Sequence, residues 1–309
     1  MRPFRKAHAD PSPDLYDGER SMAAADAMRD REYSPPSSIS QLRVCFVNQL
    51  ALYSKQRTVW TAVALVAAIP LLYAVLNALA PSLIQASDVA NIHAGRILAA
   101  LPIASMFMAS AVCGSMLPQE YNERTVYMTL PLPVSRKVFY LGKFLAGFAL
   151  CAATVCAAYG ISIAISSACA AHSYTAQMLE SLAMALSGLF SFCAFAYMLS
   201  TRMTRGSSIA PLVALAAAIP AACIILAHAV PGSTCVLGYA PVFAPDLALS
   251  MMGDSTHMSL WGLFEYPIRN SLPGFEVGPS ATVMSAASLG LGALMLWAGG
   301  RANDRRDMR

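Results

Sequence analysis

The chain has 309 residues, of which 57% are hydrophobic and only 12% charged. Soluble domains carry about 25% charged residues, so this composition, with a mean hydropathy of +0.53, excludes an ordinary cytosolic enzyme and makes the bilayer the solvent. The net charge of +4 is too small to argue for nucleic acid, and the placement of charge matters more than its sum.

In chain order, residues 1–38 mix six basic and seven acidic side chains with Pro11, Pro13, Pro35 and Pro36, a composition expected of a disordered cytoplasmic tail. From Ile39 the pattern changes. Ile39, Leu42, Phe46, Leu50 and Tyr53 fall on one helical stripe, with Lys55 and Arg57 following, which predicts an amphipathic helix on the inner membrane surface. A bilayer core of about 30 Å needs about 20 apolar residues as a helix. Six stretches meet that test, 58–79, 97–117, 144–170, 178–200, 208–230 and 281–300. Lipid offers backbone amides no partner, so these are read as helices, with kinks at Pro70, Pro102, Pro211 and Pro220. The expected fold class is an all-α integral membrane protein with six transmembrane helices, in one domain over residues 39–309.

With the N-terminus inside, 19 of the 21 Lys and Arg residues fall on the inner side, leaving only Arg96 and Arg269 outside. That bias sets a multi-pass topology in the cell membrane with both termini cytoplasmic. No apolar h-region precedes the first span, which is expected to act as the membrane address itself. The outer segment 231–280 is the longest connection and contains apolar pieces, 241–252 and 258–266, too short to span; interfacial or re-entrant helices are expected there.

Several kinds of chemistry are absent from the sequence. No GxxxxGK[ST] loop occurs, so ATP is not bound through such a loop by this chain. The five histidines never recur at i, i+4, and no helical zinc site is indicated. Met251, Met252, His257 and Met258 form a weak soft-ligand cluster, better read as packing or lipid-facing residues. Among the eight cysteines, Cys113, Cys151, Cys156, Cys193 and Cys223 fall in spans and Cys45 inside; they are read as buried small hydrophobes. Cys169 and Cys235 both lie toward the outer face, and sequence does not fix whether they pair. Ser162 and His228 lie in different spans without a nucleophile elbow, and Glu180 stands three residues into its span, where a carboxylate snorkels to the interface.

The connection between the second and third spans carries the strongest pattern. It holds Glu120, Glu123, Arg124 and Thr125, then Leu130, then Pro133-Val134-Ser135-Arg136, then Tyr140-Leu141-Gly142-Lys143. Pro118 can open a short helix whose first turn favours Glu120 and Glu123, Pro131 and Pro133 end it, and Ser135 can cap the next helix with Arg136 and Lys137 at the inner phosphates.

This run resembles the signature of type-2 ATP-binding-cassette (ABC) transporter permeases, with Arg124 standing where Gly is common before Thr125. The resemblance extends from about residue 39 to the C-terminus. It implies that Glu120, Glu123, Arg124, Thr125 and Leu130 belong to a cytoplasmic coupling helix that docks on a separate ATPase subunit. Pro133, Ser135, Arg136, Lys137 and Lys143 would anchor the start of the third span. It further implies a second permease copy as partner, ATP and Mg on the ATPase subunit, and export of a hydrophobic or amphipathic substrate. The alternative is a secondary carrier, or another multispanning protein without an ATPase partner. Coupled carriers need ionisable groups at the bilayer midplane, and the middles of these spans have none.

Overall fold

A backbone surrounded by hydrocarbon must satisfy its own hydrogen bonds, and the apolar runs close into helices for that reason. The computed structural model describes residues 37–79, 90–118, 135–169, 177–202 and 281–306, with positions 244, 248, 249, 251 and 252. The described residues form seven helices: α1 (Ser38–Tyr53), α2 (Arg57–Leu79), α3 (Ala90–Ile97), α4 (Leu101–Cys113), α5 (Arg136–Cys169), α6 (Gln177–Ser200) and α7 (Ala281–Arg306). No strand occurs among them. Five segments are long and apolar enough to cross a membrane: Arg57–Leu76, Leu101–Pro118, Arg136–Ala168, Gln177–Ser200 and Ala281–Asn303. The sixth expected span, 208–230, lies outside the described residues, as do the tail before residue 37 and most of 231–280.

The helix limits differ from the apolar runs for identifiable reasons. The second expected span, 97–117, starts later than its apolar run: residue 97 ends α3, a tight turn follows in which Leu101 N–H donates to Leu98 O at 2.8 Å, and the spanning segment is Leu101–Pro118. Pro102 stands in the first turn of α4, where its missing N–H costs nothing. Pro70, by contrast, is carried inside a continuous α2. Helix α5 begins at Arg136, two turns before the apolar run at 144, because charged first turns do not interrupt a helix that Ser135 can cap. Similarly, α7 runs on to Arg306, beyond the expected end at 300.

The stripe of α1 faces the bundle rather than a free membrane surface. Phe46 and Leu50 pack on the core and Tyr53 is buried, whereas Val44, Val47 and Leu52 on the other face are exposed, as is Ile39 in the first turn, where the stripe has not yet reached the bundle. The reason is close packing of α1 on α5, admitted by glycine. A Cβ at Gly142 would stand 2.9 Å from Cys45 Cβ and 3.4 Å from Leu42 O. One turn further, a Cβ at Gly147 would meet Met116, Cys113 Sγ and the Tyr53 hydroxyl. Helices in lipid gain little from the hydrophobic effect, so such small-residue contacts carry their association.

Burial is graded across the bundle. The apolar window of α4 is 83% buried, against 17% for α2 and for α7, so α4 is central and the other two present broad outward faces. Leu65, Leu71, Leu72 and Val75 of α2 and Leu289, Leu294 and Trp297 of α7 are exposed there. Helix α5 touches every other described helix.

Gly142→Leu should destabilise the protein by about 1–3 kcal/mol through overpacking of α1 on α5. Gly160→Leu should leave the thermal midpoint unchanged, since nothing lies within 4 Å of its added carbon. Parallel melts in detergent compare the two, and equal melting would refute close packing at Gly142.

Candidate functional site

Both ends of the connection that carries the sequence motif are held in place. On one side α4 is followed by Met116 and Leu117, which are buried. On the other, Ser135 N–H donates to Gln41 Oε1 of α1 at 3.3 Å, and Ser135 O accepts from Phe139 N–H at 3.0 Å. The 119–134 stretch between them lies outside the described residues, and with it Glu120, Glu123, Arg124, Thr125, Leu130 and Pro133.

The first turns of α5 form an aromatic hub. Arg136 and Lys137 are exposed in the first turn. Lys143 is buried, its Nζ 4.0 Å from the centroid of the Phe139 ring one turn back, a cation–π geometry that partly replaces lost hydration. Lys143 therefore stands inside the bundle while Arg136 and Lys137 stand at its surface. Tyr197 of α6 donates its hydroxyl to Tyr140 O at 3.0 Å, and the two rings lie 4.5 Å apart. Phe144 meets Phe190 edge-on at 5.6 Å and Tyr197 at 5.7 Å. Gly299 of α7 lies against Tyr140 and Met198.

From α1, Tyr53 donates to Val112 O of α4 at 3.5 Å. Burial raises the Tyr53 phenol well above its ordinary range, which keeps it a neutral donor.

These contacts gather the start of α5 with the ends of α1, α4, α6 and α7. Lys55, Arg57, Arg136, Lys137, Arg202 and Arg301 border that same end and are all exposed. Arg301 lies over the Trp297 ring at 4.1 Å. The result is a rigid, basic end of the bundle that brackets the motif-bearing connection.

Other sequence candidates fall elsewhere. Met252 is buried and Met251 packs against the core beside it, together with buried Ala244, Ala248 and Leu249. Ser181 of α6 donates to Ala248 O at 2.6 Å, so these positions of the 231–280 segment belong to the bundle core. His257 and Met258 lie outside the described residues. So does Cys235, while Cys169 is the last residue of α5. Glu180 is exposed in the first turn of α6. Ser162 donates to Tyr159 O of its own helix at 2.8 Å.

Two groupings had no signal in the sequence. His93 of α3 is buried, with Nδ1 3.2 Å from Ser166 Oγ of α5 and its ring edge-on to Tyr73 at 5.6 Å. Cys113, Cys151 and Cys193, on three different helices, bring their sulfurs within 4.8 Å of one another.

A family model described as ABC-2 family transporter protein matches residues 41–233 of the chain. No curated protein matches it.

The contact of Cys45 with α5 gives a chemical handle on this end of the molecule. Burial raises the Cys45 thiol, and the Lys143 ammonium lowers it by a smaller amount. A raised value means less thiolate at a given pH, so maleimide should label Cys45 more slowly than a free thiol at neutral pH, with the rate recovering as pH rises. Lys143→Met removes the lowering charge and should slow labelling further. Peptide mass spectrometry of the labelled full chain reads both rates, and faster labelling of the variant would contradict the assignment.

Proposed function

The chain belongs to the ABC-2 family of transporter proteins, and from that premise we propose that it is the permease subunit of an ATP-driven exporter. That it is a multi-pass membrane protein and a transport subunit rather than an enzyme follows from the family and from the five apolar helices. The observation that carries the finer reading is the position of the connection at 119–134. It lies inside the matched range, bears the Glu120 to Leu130 motif, and is bracketed by the basic, tightly packed end of the bundle.

In this reading the basic end is cytoplasmic in the cell membrane, in keeping with the 19 to 2 division of basic residues. Glu120, Glu123, Arg124, Thr125 and Leu130 form a coupling helix seated in a groove of a separate ATPase subunit, which holds ATP and Mg. Closure of two such subunits pushes on the connection. The push reaches Ser135 and the first turns of α5, whose aromatic hub ties them to α6 and α7. A second permease copy completes the path, and the two halves alternate access between inner and outer faces. The outward faces of α2 and α7 are available to lipid or to that copy. A hydrophobic or amphipathic cargo suits a path lined with Ala, Ser, Gly, Met and Phe. The absence of ionisable side chains from the middles of the spans supports this reading over a coupled secondary carrier.

The double variant Glu123→Lys with Arg136→Glu should insert normally but lose association with the ATPase subunit by about tenfold or more, since charge reversal at an interface costs several kcal/mol. Co-purification and ATPase stimulation measure this. Full retention of both would exclude the connection as the docking element.

A further inference from the structure

Cys113 on α4, Cys151 on α5 and Cys193 on α6 are free thiols with no exposed surface. Their sulfurs all lie within 4.8 Å of one another, and the group contains no carboxylate or imidazole. Three sulfurs bound to one centre at about 2.3 Å stand about 4 Å apart when the centre lies in their plane and closer when it is pyramidal, so side-chain rotations that draw the three sulfurs together are needed to hold a shared ion. Three separate helices supply the ligands, which fixes the triangle more firmly than a loop would.

Charge decides which ion such a site takes. Three thiolates carry three negative charges, leaving two with Cu(I) and one with Zn(II), and a net charge in a bundle core is strongly disfavoured. The nearest cation along α5, Lys143, is two helical turns from Cys151, about 12 Å along the axis. A trivalent thiophilic centre leaves no charge at all. We propose that Cys113, Cys151 and Cys193 form a binding site for one trivalent arsenic-type centre, delivered as the neutral hydroxide. Three arsenic–oxygen bonds break and three arsenic–sulfur bonds form. Each thiol proton leaves with a hydroxide as water, and no oxidation state changes. A cavity with room for about one water, lined by Leu101, Ser105, Val155, Tyr159 and Leu189 of the same three helices and by Leu249, lies about a turn from Cys151 and Cys193.

The site is independent of the transport reading, and so is its test. The full-length chain in lipid nanodiscs is exposed to sodium arsenite, freed of excess, and measured for bound arsenic and its sulfur neighbours by X-ray absorption. About one arsenic per chain with three sulfur neighbours is expected, with Cys113, Cys151 and Cys193 protected from alkylation after denaturation. Loss of even an outer-shell partner costs metal sites about 10- to 100-fold, so Cys151→Ser should lower retention by about tenfold or more. Cys156→Ser, at an exposed position on the same helix, should not. Absence of retained arsenic, two sulfur neighbours instead of three, retention surviving Cys151→Ser, or displacement by equimolar Zn(II) or Cu(I) would overturn the assignment. Protection mapping on the unaltered chain decides the matter should Cys151→Ser fail to fold.

Discussion

Close approach of helix backbones to α5 is the constraint on which the remaining packing depends. In hydrocarbon, two apolar helices gain nothing by hiding from solvent, so association rests on dense contact and on polar groups shared between helices. Gly142 and Gly147 on α5 and Gly299 on α7 supply the contact. The Tyr197 to Tyr140, Tyr53 to Val112 and Ser181 to Ala248 hydrogen bonds supply the shared polar groups. Each joins a side chain on one element to a backbone carbonyl on another. Larger residues at those glycines would move α1 or α7 outward and, for α1, strand the Tyr53 hydroxyl that holds it.

This arrangement divides the basic residues of the motif into two physical kinds. Arg136 and Lys137 remain in contact with water, where charge is inexpensive and open to a partner or to phosphate. Lys143 is taken inside and lies over Phe139, where its value is in fixing the first two turns of α5. On the proposed reading, such stiffness suits an element that receives force from another subunit. A soft helix start would absorb the displacement locally instead of passing it on to α6 and α7.

Much of the architecture was legible in the sequence, because a bilayer leaves few solutions for an apolar run of about 20 residues. The limits of α2 and α6 match the apolar stretches nearly to the residue. Helix α5 starts earlier than its apolar run because hydropathy measures lipid exposure, whereas helix formation also tolerates the charged turn at Arg136 and Lys137. The stripe on α1 was visible as a period, but period alone does not say whether lipid or protein covers a face; Gly142, one hundred residues on, decides that. The Ser135 to Lys143 run was legible as a motif, while the burial of Lys143 was not. The cysteine triangle was invisible, since Cys113, Cys151 and Cys193 share no spacing and meet only through the packing of three helices.

The length of α5 has a mechanical consequence. Its 34 residues extend about 50 Å at 1.5 Å per residue, well beyond a hydrocarbon layer of about 30 Å, and no proline interrupts it. Such a rod is a lever with its fulcrum near Gly147, where α1 and α4 press closest. Rotation by about 5° there carries Ser166, about 28 Å further along the axis, sideways by about 2.5 Å. A displacement of that size, with α3 held still, would break the hydrogen bond between Ser166 and His93, so on the proposed reading a small turn near the start of α5 is felt as a broken bond toward its other end.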